Sequence, residues 1–534
     1  MRRKILCFLT AAIGVVSANA QLTVDNATLF IQSGATVTVQ GDVTSNVDIQ
    51  GPGKILLKGS ANQNVNMNGF TIPNLEMDNA ANATLLGNAR IGTSMLFTNG
   101  KIIQGNFNMR LADVATTTGG GAGKFFETTG TGQLVKEVSS NLASYVLPLG
   151  IGATYYPASI TTAGTYSSAT VGTQAKNGSD PNKHPRSTDY LNLYWPITQS
   201  GITGTLNATG GYNANFTGVE ADLRGIYWNS GTGSWTLTGA SINTGTDETS
   251  GLITGNGDLY AMNRFVLSKM KVMLQGAFNG TDMNDNLRAG TNLIPLSDPY
   301  RTAPYNTSFT HVNNPVTEVA AASVFNNAAL TGDNIVDWVY LELRDNSGVN
   351  PGATVVQTRA ALVQRDGDIV DIDGVSPVFF KNIDAGAAYT LAVRHRNHLG
   401  ISTDPVANLQ SLDVATPGTT TDFSTMVDAQ IFGTSAAFTT SGGKTLLWGG
   451  NCNYALAAGT QRVAFINPNN DKDFILVTAL GNVPGGSILN TYHVADLNMN
   501  RAVRFINPNN DKDFILINVL NNLPGANRNQ ALPQ

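Results

Sequence analysis

Oxygen-bearing side chains occupy alternate positions near the end of the sequence: Asp496, Asn498 and Asn500. Alternate residues of a tight turn point inward together, and carboxylate and amide oxygens are the ligands that a hard cation such as Ca²⁺ prefers. Asp511 or Asp513 would supply the closing carboxylate. The spacing therefore predicts a calcium loop.

Arg501 stands where calcium loops carry the glycine of their sharp turn, so we expect this loop to bend differently or to bind weakly. The loop leads into the second copy of a perfect repeat. The twelve residues from Phe465 to Leu476 recur without change from Phe505 to Leu516, an offset of 40 residues. Each copy continues into a short apolar segment and an Asn-x-Pro-Gly sequence, which predicts a helix of one or two turns with an acidic start.

The first copy of the repeat has fewer candidate ligands than the second. They are Asn451, Asn453, Asp471 and Asp473, of which only the two aspartates carry charge. An alternative interpretation applies to both copies: the Asn and Asp residues cap helices and form turns without holding a metal. The second copy is therefore the better calcium candidate.

Residues that could support catalysis are few. His395 and His398 lie three apart in a predicted strand and should point to opposite faces, which is poor geometry for joint metal binding. Asp366, Asp368, Asp371 and Asp373 offer paired carboxylates of the kind that glycosidases use, but they also fit two turns or a surface calcium site. We found no nucleophile elbow, zinc-protease motif or phosphate loop in the sequence. We therefore expect no enzymatic activity.

The first twenty residues have the order of a secretory signal. Arg2, Arg3 and Lys4 precede an apolar run and a small-residue stretch that ends at Ala20. We expect cleavage before Gln21, which leaves one cysteine and no intrachain disulfide. The run is too short to span a bilayer, and no later stretch is long and apolar enough.

Charged residues make up 13% of the chain, glycines number 56 and the net charge is −5. This composition favours many short strands joined by tight turns and gives nucleic-acid binding little support. The predicted fold class is mainly β and multidomain. The predicted segments are a signal peptide over 1–20, a β-solenoid-like segment over 21–125, β-sandwiches over 126–267 and 268–410, a linker over 411–445 and a repeat pair over 446–534.

The solenoid prediction rests on very short apolar runs between glycine- and asparagine-containing breaks, from residue 22 to about 112. An ordinary β-sandwich is the alternative there. The Thr/Gly-rich residues 113–132 are interpreted as a boundary or an exposed loop. Longer aromatic strands follow, and turn residues at regular spacing favour antiparallel sandwiches for both later β-domains.

Five segments resemble the C-terminal half of haemagglutinin-like secreted bacterial surface proteins. They are the stretches 274–280, 337–344, 364–368, 371–377 and 394–400. In those proteins the module is followed by two dockerin-like calcium repeats, which the blocks at Phe465 and Phe505 resemble. This chain departs from the Asp-x-Asn-x-Asp-Gly pattern at Asn500 and Arg501, and it has Asn451 where aspartate is expected.

The resemblance implies a non-enzymatic adhesin or surface scaffold, secreted or held at the surface of a Gram-negative bacterium. Other surface proteins or glycans would be its partners, with a homo-oligomer as a further expectation. Two alternatives stay open. One is a subunit of an extracellular filament assembled by β-strand complementation. The other is a β-helix enzyme that acts on polysaccharides.

Overall fold

The computed structural model describes residues 20–237, 239–326, 332–414 and 420–534. The chain forms two compact units, Met1–Asn263 and Arg264–Gln534. Of the predicted signal segment only Ala20 lies within the described residues. Among the described residues, no helix has the length and apolar character needed to cross a membrane.

The first unit begins with a β-solenoid of about six turns, as the short apolar runs predicted. One parallel sheet contains Leu22–Val24, Val43–Ser45, Gln63–Asn66, Ala83–Leu85, Ile102–Ile103, Phe126–Glu127 and Leu149–Ile151. The other contains Thr36–Val39, Lys54–Leu57, Thr71–Asp78, Ala89–Asn99, Met109–Leu111, Thr116–Thr118 and Leu134–Val138. Buried and outward-facing side chains alternate along most of these strands, as in Lys54–Leu57, so the turns of the coil bury one face against the next.

Side chains at the corners of the solenoid tie successive turns together. Asn46 Oδ1 accepts the backbone N–H of Asn26 at 2.8 Å, and Asp42 Oδ1 accepts that of Asn64 at 2.8 Å. These bonds satisfy backbone donors that the corners would otherwise leave open. The asparagine content of this segment therefore serves the turns between strands.

Parallel pairing continues past residue 125. Phe126 pairs with Leu149, and Leu134 pairs with Met109. The interpretation of 113–132 as an exposed loop or boundary is wrong, because Thr116–Thr118 and Phe126–Glu127 are strands of the coil. Glycine-rich composition misled here because solenoid corners use the same residues as loops.

Antiparallel strands complete the first unit. They are Leu142–Leu147, Thr154–Tyr155, Ala158–Thr173, Lys176–Asn177, Tyr190–Leu191, Leu193–Gly211, Phe216–Thr217, Leu223–Asn229, Ser234–Thr236, Ser241–Asn243, Glu248–Leu252 and Gly257–Asn263, with a 3-10 turn at Glu220–Asp222. Ala158–Thr173 and Leu193–Gly211 form a long ribbon whose register shifts between Tyr166 and Thr170. Ala158–Thr173 also pairs with the last solenoid strand, Leu134–Val138, and so continues its sheet.

The second unit is built on a largely antiparallel sheet. In spatial order its strands are His398–Ser402, Ala388–His395, Ile335–Asp345, Thr354–Gln364, Asp368–Val370, Met270–Lys271 and Thr421–Asp422, with Gln410–Ser411 beside Ala388–His395. Smaller pairings join Phe265–Ser268 to Val378–Lys381 and Phe438–Thr439 to Thr445–Leu446. A short helix spans Ala322–Phe325, and 3-10 turns span Asn286–Arg288, Pro299–Arg301, Tyr305–Thr307, Phe423–Thr425, Asp428–Gln430 and Ala458–Thr460.

The two repeats form a closed pair. Each contains a strand, a short helix and a second strand: Arg462–Ala464, Asp471–Asp473 continuing as Phe474–Ala479, and Ser487–Leu489; then Ala502–Arg504, Asp511–Asp513 continuing as Phe514–Val519, and Asn527–Asn529. The strand after each helix pairs with the strand before the other helix. The helices predicted from the repeated block are confirmed, and each switches to wider π-helical geometry after its first turn.

Apolar side chains of the repeats and of the sheet belong to one core in the second unit. Ile475 and Ile515 from the repeats are fully buried together with Leu341, Leu399 and Leu447. Burial of apolar area is the main stabilising term in folding. The repeat pair is therefore part of the second unit's folded core.

Candidate functional site

A polar cleft of about 310 Å³ lies where the bulge of the long ribbon meets the solenoid strands Met109–Leu111 and Leu134–Val138. Its charged and hydroxyl-bearing lining comprises Arg110, Asp113, Glu137, Ser139, Tyr166, Ser168 and Thr170. The volume falls at the lower end of the range for small-ligand sites. The cleft is therefore large enough to hold part of a small polar ligand.

A bulge in the ribbon shapes one wall of the cleft. Ser168 sits at the register shift between Tyr166 and Thr170, with φ +47°. A left-handed backbone is costly for a residue other than glycine, and such strain occurs preferentially at binding sites. Bulges also redirect side chains out of the regular alternation. The bulge thus turns hydroxyl groups toward the cleft.

The carboxylates of the cleft are held in their ionised form. Glu137 accepts two hydrogen bonds from Arg90, at 3.0 and 2.8 Å, and one from Arg110 at 3.2 Å, so its pKa is lowered. The hydroxyl and backbone N–H of Ser139 bond to Asp113 and lower the pKa of that carboxyl. A general acid needs a raised pKa. These carboxylates are suited to accepting hydrogen bonds from a ligand.

The predicted calcium loop in the second repeat is a tight turn around Asp496. Its carboxylate is buried and accepts the backbone N–H groups of Asn500 and Arg501, both at 2.9 Å. Arg501 adopts φ +74°, the left-handed conformation that glycine would take. Arg501 therefore takes a left-handed backbone at the position where calcium loops carry glycine, and the expectation of a different bend or weak binding stays a prediction.

The side chain of Arg501 explains how the strained position is held. Its guanidinium donates to three backbone carbonyl oxygens, those of Asn286, Ala289 and Thr291. These charge-assisted bonds offset the conformational cost of the left-handed backbone. An arginine thus replaces glycine by attaching the loop to the segment 286–291.

The oxygen donors of the second loop fit a calcium ion in part. Asn498 Oδ1 is buried and has no hydrogen-bond partner among the described residues, whereas Asn500 Oδ1 accepts the N–H of Ala502. Both Asn498 and Asn500 turn their amide N–H groups toward the carbonyl of Asn509. Burial also raises the pKa of Asp496 to about 6. A bound ion would depend on Asp496 and neutral oxygens.

The other two predicted ligands of the second copy, Asp511 and Asp513, lie in different surroundings. Asp511 is fully buried and accepts the backbone N–H groups of Leu497 at 2.7 Å and Arg504 at 2.8 Å. Asp513 lies at the start of the helix, where it caps with Asn510 and pairs with Lys512. Burial raises the pKa of Asp511 well above its ordinary value.

The first copy repeats this arrangement. Asp471 is buried and accepts the backbone N–H groups of Cys452, Asn453 and Ala464, and burial raises its pKa to about 7. Asp473 caps the helix through Asn470, as Asp513 does through Asn510.

Asn451 has the place that Asp496 has in the second copy. Its Oδ1 is buried without a partner in the described part of the chain, and Asn453 donates to the carbonyl of Asn470. This copy lacks the loop carboxylate, so its donors do not fit calcium. Across the described ranges, no three His, Cys, Asp or Glu side chains form a group that could hold a metal.

A buried polar network joins the sheet to the repeat pair. Asp337 Oδ2 accepts from Arg396 Nε at 2.8 Å and lies 3.1 Å from His395 Nε2, while Tyr492 donates to its other oxygen at 2.7 Å. Burial alone would raise the pKa of Asp337, but Arg396 and His395 lower it to about 2. The carboxylate is therefore ionised and fully engaged.

The prediction that His395 and His398 point to opposite faces is wrong. The chain turns at Arg396 and Asn397, so the two histidines face each other across a hairpin, with their Nδ1 atoms 3.0 Å apart. His398 Nε2 accepts the N–H of Gly276, so its proton lies on Nδ1. Both rings are neutral, because burial lowers their pKa values.

The acidic group near residue 370 forms turns. Asp366 and Asp368 lie beside Lys271 at 3.1 and 3.2 Å, in the hairpin that the sequence predicted. Asp373 accepts the backbone N–H groups of Val375 and Ser376, which makes a second turn. Asp366, Asp368 and Asp373 thus occupy the two turns that the sequence predicted.

Three comparisons with known proteins bear on identity. No family model, no curated protein and no solved structure matches this chain. The haemagglutinin-like and dockerin-like resemblance therefore stays a prediction.

Sequence reasoning missed the cleft on the solenoid. Its charged residues come from different turns of the coil, and Arg90 and Arg110 are paired across adjacent strands. Recurrence of charge at the spacing of the coil was the available signal. Reading the solenoid turn by turn would have aligned these residues.

Proposed function

We propose that this chain is a non-enzymatic extracellular or cell-surface protein for adhesion or scaffolding, and that the cleft on its solenoid binds a polyhydroxylated ligand such as a glycan. The observation that carries the proposal is the pairing of ionised carboxylates with a partly exposed arginine in that cleft. Arg110 exposes 44% of its side chain and lies beside Glu137. Fixed acceptors and donors of this kind recognise the hydroxyl groups of sugars.

The second unit supports the scaffolding part of the proposal through the burial of its charged groups. His395, His398 and Asp337 are at most 1% exposed, and the sheet is joined to the repeat pair by hydrogen bonds from Tyr492 to Asp337 and from Asn397 to the carbonyl of Asp496. Groups engaged in this way contribute rigidity. A rigid second unit suits a scaffold that presents a binding surface.

A glycan array with the full chain tests the ligand class. We expect binding that falls at least about tenfold in Arg110→Gln, because a charge-assisted hydrogen bond contributes about 1.5–3 kcal/mol. Lys58→Gln is the matched control, since Lys58 pairs with Asp78 on another part of the solenoid surface. Equal binding by both variants would contradict the cleft, and turnover of a bound glycan would favour the β-helix enzyme.

We extend the proposal to the domain types, the export and the metal of this chain. We propose that the antiparallel parts of 126–267 and 268–410 are β-sandwich domains and that 446–534 is a dockerin-like pair. We also propose secretion after cleavage of the signal, and weak calcium binding at the second loop through Asp496 and Asn498. The buried oxygen of Asn498 supports the calcium proposal.

A further inference from the structure

The first turn of the solenoid differs from the turns that follow it. Leu22 pairs with Val43, and Val43 pairs with Val65, so the three side chains share one inward column. Val43 and Val65 are each 1% exposed, whereas Leu22 is only partly buried. Val24 on the same strand is 6% exposed, so on this strand the apolar interior reaches the surface at Leu22.

The second sheet repeats the pattern. Val37 pairs with Ile55, and Ile55 pairs with Leu75. Ile55 is 0% and Leu75 2% exposed, but Val37 is only partly buried. Phe30, at the corner between the first strands, is 59% exposed. Ile31 and Val39 are 3% and 2% exposed, so the apolar surface open at this end of the coil consists of Leu22, Val37 and Phe30.

Backbone groups are open at the same place. Among the described strands, Leu22–Val24 pairs only with Val43–Ser45, and Thr36–Val39 pairs only with Lys54–Leu57. The opposite end of the coil is covered by antiparallel pairing with Thr154–Tyr155 and Ala158–Thr173. An edge strand offers unpaired N–H and C=O groups to another chain.

The edge strands lack the features that block such pairing. Native proteins protect edges with charges, proline or bulges. From Gln21 to Gln40 the one charged residue is Asp25, and proline does not occur. Two copies would therefore meet with little charge repulsion.

We propose that the first turn of the solenoid is a docking surface for the first turn of a second copy of this chain. A two-fold axis normal to both sheets places Leu22–Val24 antiparallel to its equivalent and Thr36–Val39 antiparallel to its own. The contact satisfies both edges and covers Leu22, Val37 and Phe30 together. A single extended peptide could complete only one of the two edges, which favours a second copy over a strand donor.

This inference deepens the proposed scaffolding role and rests on it, because the dimer would present two clefts from one rigid coil. The two proposals fail separately. If the chain is a monomer at every concentration, the docking proposal fails, whereas the glycan test of Arg110→Gln is unaffected.

Sedimentation velocity over a wide range of concentrations tests the proposal on the purified full chain, with its N-terminus verified by mass spectrometry. We expect a reversible change from the mass of one mature chain to twice that mass. The double variant Thr23→Lys/Thr38→Lys places like charges opposite each other across the two-fold axis. We expect it to raise the dimer Kd at least about a hundredfold, because like charges across an interface cost several kcal/mol.

The matched control is Thr93→Lys/Thr118→Lys, which adds the same charge at exposed positions several turns away from the edge. We expect it to dimerise as the unaltered chain does, and all three proteins to melt at the same temperature at concentrations below the dimer Kd, where each is a monomer. A monomer at every concentration, equal Kd values for both variants, or masses that extend beyond the dimer would each overturn the proposal.

Discussion

The charged pairs around the cleft of the first unit and in the polar network of the second unit differ in exposure. In the first, the pairs Lys58–Asp78 and Arg110–Glu137 lie on the outside of the coil, and Arg110 opens onto a cleft. In the second, Asp337 and Arg396 are fully buried between the sheet and the repeats. Surface pairs contribute little to stability, while breaking a buried pair is costly.

This difference separates recognition from architecture. Charges that keep contact with water remain available to a ligand, and their loss should leave the fold intact. Charges inside the second unit hold strands, turns and repeats in one arrangement, and their loss should cost stability first. Each of the following experiments can contradict that division.

Asp337→Ala should have the largest effect. Removing the carboxylate leaves the buried guanidinium of Arg396 without its counter-charge, which typically costs about 3–5 kcal/mol. In chemical denaturation, the second unit of this variant should unfold at a lower denaturant concentration than that of the unaltered chain. Asp384→Ala is the control, because Asp384 is more than half exposed and its pair with Arg264 spans 3.4 Å. Equal losses in both variants would remove the contrast between buried and exposed pairs.

His398→Gln should change the pH dependence of stability. Burial lowers the pKa of His395 and His398 below their ordinary value of 6.5, so the folded state binds fewer protons than the unfolded state. The stabilisation is present above that value and is lost as the pH falls through it.

The stability difference between the unaltered chain and His398→Gln should therefore shrink below pH 6.5, by up to about 1.4 kcal/mol per pH unit. Taking the difference cancels the opposite contributions of Asp471 and Asp496, whose raised pKa values favour folding as the pH falls. Denaturant titrations at several pH values measure this quantity. A difference that stays constant with pH would show that His398 does not titrate on unfolding.

Calcium should have the smallest effect. The second loop offers one carboxylate and neutral oxygens, so we expect a gain of about 1 kcal/mol at concentrations several times the Kd. Melting of the full chain in millimolar calcium and in chelator measures it, and Asp496→Asn should abolish the shift. Identical melting in both solutions would assign the loop oxygens to packing alone, as in the first repeat.

Sequence periodicity was sufficient for the solenoid and for the repeated helices. Alternation such as Thr36-Val37-Thr38-Val39 is local, and a capped block such as Asn470-Asp471 determines its own first turn. The strands around Ile335–Asp345 were also predictable, because their apolar run is long.

Contacts between distant residues were not predictable. The bond between Asn397 and the carbonyl of Asp496 joins residues 99 positions apart, and Tyr492 reaches Asp337 across 155. No local pattern encodes such partners. The hairpin at Arg396 and Asn397 was missed for a related reason, since a continuous strand and a two-residue turn read alike when the turn lacks glycine.

The reciprocal pairing of the two repeats sets an order of folding. Turns of the solenoid bond to neighbours 20 to 22 residues away, so each can form soon after it is synthesised. In the second unit, Arg462–Ala464 pairs with Asn527–Asn529, which lies 65 residues later, and Arg344 bonds to the carbonyl of Pro533. The pairing of each solenoid turn therefore depends on nearby residues, whereas the pairing of the second unit is complete only when residues 527–533 are in place.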